Sequence, residues 1–152
     1  MGRILFVCTG NLCRSPMAAG LLRQRLARAG MDTRHQVASR GVWAADGQPA
    51  SRHAIQAMAE RAIDISDHVA QILTAEDLAE ADLVLVMARE HGAVIGTTWP
   101  QYSWKVHLLS EMIGKRQDVA DPYGGPLEVY RACAETIARM IDGGLPEILA
   151  LA

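Results

Sequence analysis

Cys8-Thr9-Gly10-Asn11-Leu12-Cys13-Arg14-Ser15 is the stretch of this chain whose residue types and spacing could do chemistry. A thiol at Cys8 and a guanidinium at Arg14 stand six residues apart, joined by a short polar loop with a glycine in it. Such a loop ahead of a helix turns backbone N–H groups toward the helix N-terminus, which attracts an anion. The helix dipole and a nearby arginine favour the thiolate of a cysteine held there. A guanidinium grips two phosphate oxygens at once. A cation at a helix N-terminus opposes the dipole, so Arg14 makes sense there only with an anion beside it. The pattern is that of a sulfur nucleophile facing a phosphate-binding fork. Phosphoryl transfer from an alcohol or phenol also needs an acid for the leaving group. Asp121, in the turn Asp121-Pro122-Tyr123-Gly124-Gly125, is a carboxyl group presented on a loop, whereas Asp118 reads as a surface residue.

These groups need a scaffold, and hydrophobic periodicity supplies one. Arg3 to Val7, with Ile4-Leu5-Phe6-Val7, predicts a buried parallel strand directly before the loop. Pro16 suits the first position of the helix that follows, and Met17 to Ala29 carries Leu21, Leu22 and Leu26 at helical spacing. His35 to Ser39 is a strand candidate, and Pro49 to Ala62 reads as a helix. Thr74-Ala75-Glu76-Asp77 is a capping-type helix start. Asp82 to Met87 predicts a central strand, Ala88 to Ile95 a helix, Lys105 to Leu109 a strand and Leu127 to Ile141 a helix. Gly143-Gly144 and Pro146 interrupt the last pattern, which leaves the final ten residues unassigned. Strands alternating with helices imply an α/β fold: one doubly wound domain over residues 1–152, with a parallel sheet flanked by helices. Ligands of such sheets sit at the carboxyl ends of strands, where the Cys8 loop lies.

Composition narrows the classes of function. Half of the chain is apolar, 21% is charged and the net charge is −2, which suits neither a nucleic-acid surface nor an anionic membrane. Any anionic ligand must be held by local design. The three cysteines, Cys8, Cys13 and Cys133, form no disulfide framework, and the N-terminal apolar run is too short for a signal-peptide core or a membrane span. The expectation is a cytoplasmic protein. The five histidines show no metal-ligand spacing, so neither metal nor cofactor is expected; His53, His91 and His107 read as structural. Cys13 shares the loop with Cys8. If folding brings their Cα atoms within about 7 Å, Cys13 can trap an oxidised Cys8 as a disulfide, making the two a redox pair. Cys133 reads as core.

Cys8 to Pro16 together with Asp121-Pro122-Tyr123 resemble the low-molecular-weight protein tyrosine phosphatases, and the likeness runs nearly end to end. Ser39-Arg40-Gly41-Val42-Trp43 is similar to that family's Ser-Ala-Gly loop, with Arg40 in place of the small residue. Ile65-Ser66-Asp67-His68 resembles the stretch with its buried histidine, and Ala81 to Met87 its central strand. The resemblance implies a four-stranded parallel sheet and a phosphate-binding loop of Thr9, Gly10, Asn11, Leu12, Cys13, Arg14 and Ser15. It implies Cys8 as nucleophile, Arg14 as phosphate clamp and Asp121 as general acid. Asn11 would hold the loop in shape, Ser15 would donate to the Cys8 sulfur, and Ser39 and His68 would support Asn11. The family's aspartate after the central strand is replaced by Ala88, and the arginine of its His-x-x-Arg segment by Gln71.

Substrate class divides the resemblance. Gly124-Gly125 and Met87-Ala88-Arg89-Glu90-His91 are similar to a bacterial branch that includes protein arginine phosphatases; that branch has Phe where Tyr123 stands and Thr where Leu12 stands. An apolar Leu12, with aromatic walls from Trp43 and Tyr123, suits a phenyl ring better than a guanidinium. The expected activity is hydrolysis of phosphotyrosine in a protein through a phosphocysteine, with inorganic phosphate or vanadate as inhibitors. The alternatives are a protein arginine phosphatase, a phosphate-binding module without turnover, and an arsenate reductase using further thiols. The oligomeric state is not legible.

Overall fold

The computed structural model describes residues 1–152. Four parallel strands form one sheet in the order β2-β1-β3-β4: β1 is Gly2–Cys8, β2 His35–Gly41, β3 Leu83–Val86 and β4 Val106–Leu108. β1 pairs with β2 along its whole length, from Gly2 opposite His35 to Cys8 opposite Gly41. Side chains of a strand alternate between faces. Ile4, Phe6 and Cys8 therefore enter the core under helices α1 (Arg14–Arg28), α2 (Arg52–Ala59) and α5 (Leu127–Leu151). Leu5 and Val7 enter the opposite core with Leu78 of α3 (Ala75–Glu80) and Ile95 of α4 (Arg89–Thr98). Cys8 ends the central strand β1 at the sheet's carboxyl edge, on the α1/α5 side.

The helices begin and end where local chemistry dictates, with three departures from the periodicity. α1 starts at Arg14, so Pro16 is its third residue rather than its first. The first four N–H groups of a helix lack intrahelical acceptors, and the missing N–H of Pro16 costs nothing at either position. α2 is shorter than Pro49 to Ala62. Its start is deferred because Pro49 forms a bridge with Val69. Its end is a Schellman turn, with Ile63 N–H bonded to Met58 C=O and Ala62 N–H to Ala59 C=O. Ala62 takes the left-handed position at φ 59°, where glycine is usual.

α5 is the largest departure, continuing through Gly143, Gly144 and Pro146 to Leu151. Gly144 is a contact point, not a break. A Cβ there would lie 2.5 Å from Met112 Cβ and 3.1 Å from Met112 O, in the 3₁₀ turn Leu109–Ile113 that follows β4. Bare backbone lets the helix lie against that turn. Gly144→Ala should therefore destabilise the fold by about 1–3 kcal/mol, the usual cost of overpacking. Urea denaturation measures it; an unchanged midpoint would contradict the contact. α3 starts as its sequence predicts, with Thr74 Oγ1 accepting from Asp77 N–H at 3.2 Å and Asp77 Oδ2 accepting from Thr74 N–H at 3.0 Å. No helix is long and apolar enough to cross a membrane.

Candidate active site

The loop between β1 and α1 is shaped from behind. Gly41, at the end of β2, admits the loop backbone, since a Cβ there would meet Thr9 O at 2.5 Å and Asn11 N at 2.9 Å. Val42 N–H donates to Cys8 O and Trp43 N–H to Thr9 O, which ties the loop to the chain leaving β2. Asn11 adopts φ 58°, a conformation that asparagine tolerates better than most residues. Its polar groups hold it there. Nδ2 donates to Ser15 Oγ at 2.8 Å and Ser39 Oγ at 2.9 Å, Oδ1 accepts from Gln71 N–H at 3.0 Å, and its carbonyl accepts from His68 Nε2 at 2.7 Å. The carbonyl can only accept, so His68 carries its proton on Nε2. The backbone N–H groups from Thr9 to Arg14 donate to nothing else in the protein. They are a row of donors at a helix start, available to an anion.

Cys8 Sγ lies 2.9 Å from Ser15 Oγ. Asn11 already donates to that oxygen, so the single Ser15 proton has two acceptors within reach, the sulfur at 2.9 Å and Arg40 O at 3.4 Å, and on the shorter contact it stabilises negative charge at sulfur. Arg14 is buried; Nη1 donates to Val119 O at 2.8 Å and Nη2 to Thr9 Oγ1 at 3.3 Å. Val119 is fixed in turn by its N–H bond to Met87 O at 2.8 Å. Two residues on, Asp121 Oδ2 lies 3.5 Å from Arg14 Nη2, and Oδ1 accepts from Tyr123 N–H at 3.1 Å. The turn thus holds a half-exposed carboxyl group above the arginine. Between them is a cleft of about 180 Å³, lined by Cys8, Thr9, Gly10, Leu12, Cys13 and Arg14 from the loop and by Asp121 and Tyr123 from the turn. A larger hollow of about 630 Å³ runs along β1 and β2, but its Arg3 and Arg40 are paired with Glu80 and Asp77 and it holds no nucleophile.

Residues 3–149 match the family model described as low molecular weight phosphotyrosine protein phosphatase. The chain belongs to this family. It is 42% identical over 148 residues to a "Probable low molecular weight protein-tyrosine-phosphatase EpsP" of Ralstonia nicotianae, covering 97% of both chains. It is also 42% identical over 141 residues to a "Protein-arginine-phosphatase" of Geobacillus stearothermophilus, covering 92% of this chain and 91% of that one. Its fold superposes with TM-score 0.91 on the crystal structure of a low molecular weight protein tyrosine phosphatase from T. tengcongensis, 44% identical, covering 97% of this chain and 99% of that one. Low molecular weight phosphatases are cysteine-dependent hydrolases that act on phosphorylated proteins.

Within this phosphatase fold, the residues singled out from sequence mostly converge on the cleft. Trp43 is not among those lining it; its ring is exposed, and its backbone ties to Thr9 O. Asp118 caps α4, accepting from Arg89 N–H at 2.9 Å and Nε at 3.2 Å, and the Arg89 N–H holds its carboxyl below the usual range. All three thiols are free and buried. Cys13 bonds Ser51 Oγ at 3.3 Å and Tyr130 OH at 3.5 Å, and burial raises its pKa. Burial pushes Cys133 up to about 12, which makes it a poor resolving thiol for arsenate chemistry.

The sequence does not single out Gln71 or Val119 as supporting residues, and it reads His91 as structural. The first two act through backbone groups, which any residue supplies. His91 is fully buried; Ala88 N–H donates to its Nδ1 at 3.0 Å, and its Nε2 lies 2.9 Å from Thr9 Oγ1. The available signal was its place just past the carboxyl end of the central strand β3.

Burial, reinforced by the Arg14 charge, pushes the His91 pKa down to about 4. The depressed value sets a sign. An unfolded histidine binds a proton near pH 6.5, so the stability that His91 contributes is complete above that pH and is lost as pH falls toward 4. His68, lowered by burial, adds in the same direction. Urea unfolding should show a loss of about 2 kcal/mol from pH 7 to pH 5, and His91→Phe should flatten most of that slope. Equal parental stability at both pH values would contradict it.

Proposed function

We propose that this chain is a protein tyrosine phosphatase working through a phosphocysteine, with Cys8 as nucleophile, Arg14 as phosphate clamp and Asp121 as general acid and then base. Cys8 Sγ attacks phosphorus in line, the P–O bond to the leaving group breaks, and Asp121 gives that oxygen its proton. Water, deprotonated by Asp121, then displaces sulfur and releases inorganic phosphate. The loop N–H groups and the Arg14 guanidinium hold the equatorial oxygens throughout, and their charge does the neutralising that the transferring group needs. When peroxide oxidises the Cys8 thiolate to a sulfenic acid, the Cys13 sulfur attacks the Cys8 sulfur and water leaves, giving a disulfide.

What carries the choice of phosphotyrosine is Leu12 in the cleft wall, facing the same space as Tyr123. Leu12 packs against the core and offers only apolar surface. A phenyl ring loses nothing there. A guanidinium would leave N–H groups unpaired at a cost of about 1–3 kcal/mol, roughly ten- to a hundredfold in discrimination. The second reading, a protein arginine phosphatase, is favoured by Gly124-Gly125 and by the equal identity to the Geobacillus enzyme. Matched phosphotyrosine and phosphoarginine peptides decide between them. The parent should show the higher kcat/KM on phosphotyrosine, and Leu12→Thr should move preference toward phosphoarginine. A parent that prefers phosphoarginine overturns the assignment of substrate.

A further inference from the structure

Arg14 is held by a residue that the reaction scheme does not use. Counting hydrogens at Thr9 Oγ1 shows how. Ala88 N–H can only donate, so the His91 Nδ1 it meets at 3.0 Å carries no proton. The neutral ring therefore has its proton on Nε2, 2.9 Å from Thr9 Oγ1, and donates to that oxygen. Arg14 Nη2 donates to the same oxygen at 3.3 Å. Both lone pairs of the hydroxyl are then occupied, and Thr9 can rotate its proton toward neither partner. The oxygen becomes a fixed acceptor for the guanidinium, backed by a ring with no solvent exposure. On its other nitrogen Arg14 meets Val119 O, whose residue hangs from Met87 O. Both anchors of the guanidinium thus lead to the segment Met87–His91 that leaves β3.

We infer that His91 is a positioning residue for the phosphate clamp, acting through Thr9 Oγ1 to fix the plane of the Arg14 guanidinium. A bidentate grip needs that plane fixed before the phosphoryl group arrives, because a freely turning guanidinium must be ordered during the reaction. Thr9 lines the cleft, and its hydroxyl proton has no remaining partner among these groups, which leaves it for an oxygen of the bound anion. The inference rests on Arg14 being the clamp of the proposed phosphatase.

The test is a double-mutant cycle with His91→Phe and Thr9→Val, each close in shape to the residue it replaces. Turnover of an aryl phosphate and inhibition by inorganic phosphate are read on protein shown folded by circular dichroism. Each single variant should lower kcat/KM by about tenfold or more, up to the roughly hundredfold that misplacing a reacting group can cost. Inhibition by phosphate should weaken in parallel, and Thr9→Ser should lose less than Thr9→Val. The decisive result is coupling: in the Thr9→Val background, His91→Phe should change neither constant further. A packing role for His91 would lower stability while leaving phosphate inhibition at the parental value, or would add its loss to that of Thr9→Val; either overturns the inference. If His91→Phe does not fold, Thr9→Val alone decides, since parental phosphate inhibition in that variant also overturns it. A parent that neither turns over aryl phosphate nor binds phosphate overturns the site reading as well. A competent parent with unaffected variants overturns this inference alone.

Discussion

Replacing Cys8 by serine should remove turnover, by on the order of 10⁴-fold or more, while leaving inorganic phosphate binding close to the parental level. The size follows from what the substitution changes. A serine hydroxyl keeps its proton at neutral pH, and the group that meets the position 8 side chain is the Ser15 hydroxyl at 2.9 Å, which is no base. The binding apparatus is untouched, because the loop N–H groups, Arg14 and the Asn11 brace do not involve the sulfur. Steady-state kinetics on an aryl phosphate, with phosphate affinity by calorimetry, separate the two effects. Retained activity in Cys8→Ser would remove the nucleophile from the account.

Asp121→Ala is the second large effect, and its signature is the dependence on the leaving group. On alkyl or ordinary phenyl phosphates, whose departing oxygen must be protonated, the rate should fall about 10²–10⁴-fold. On an aryl phosphate with a strongly acidic phenol the fall should be much smaller. Phosphate affinity should hold or rise, since the substitution removes a carboxylate 3.5 Å from the Arg14 guanidinium. A uniform loss across leaving groups would mean that Asp121 positions the turn instead of delivering a proton. Asp118 makes a useful contrast. It is committed to Arg89 at the start of α4, so its alanine variant should affect stability more than the leaving-group profile.

The candidate site was legible because it sits in contiguous runs. Cys8 to Ser15 carries a thiol, a glycine and a guanidinium within one loop, and a loop between a strand and a helix has few ways to fold. Asp121 was legible because Asp-Pro-Tyr-Gly-Gly can only be a turn. The bracing of Asn11 by Ser39 and His68 came through family resemblance, and both meet Asn11. What escaped was of two kinds. Val119 C=O and Gln71 N–H hold Arg14 and Asn11 through the backbone, where residue identity carries no information. His91 and Thr9 are 82 residues apart, and nothing local to either marks the pairing. In the fold, Gly143-Gly144 reads as a break in any local scale, yet the tight approach to Met112 makes glycine a requirement of the helix there. Ala62 hid the end of α2 because it occupies a glycine position without being glycine.

The central claim is that a phosphoryl group passes through the Cys8 sulfur. Asp121→Ala offers the most direct view, because losing the base slows hydrolysis of the intermediate. Acid-quenching this variant during turnover of an aryl phosphate with a strongly acidic phenol, then mapping peptides by mass spectrometry, should reveal one added phosphoryl group on the peptide that carries Cys8. The adduct should be absent from Cys8→Ala and from the peptides that carry Cys133. Steady turnover with no adduct on Cys8, or an adduct on any other residue, would contradict the account.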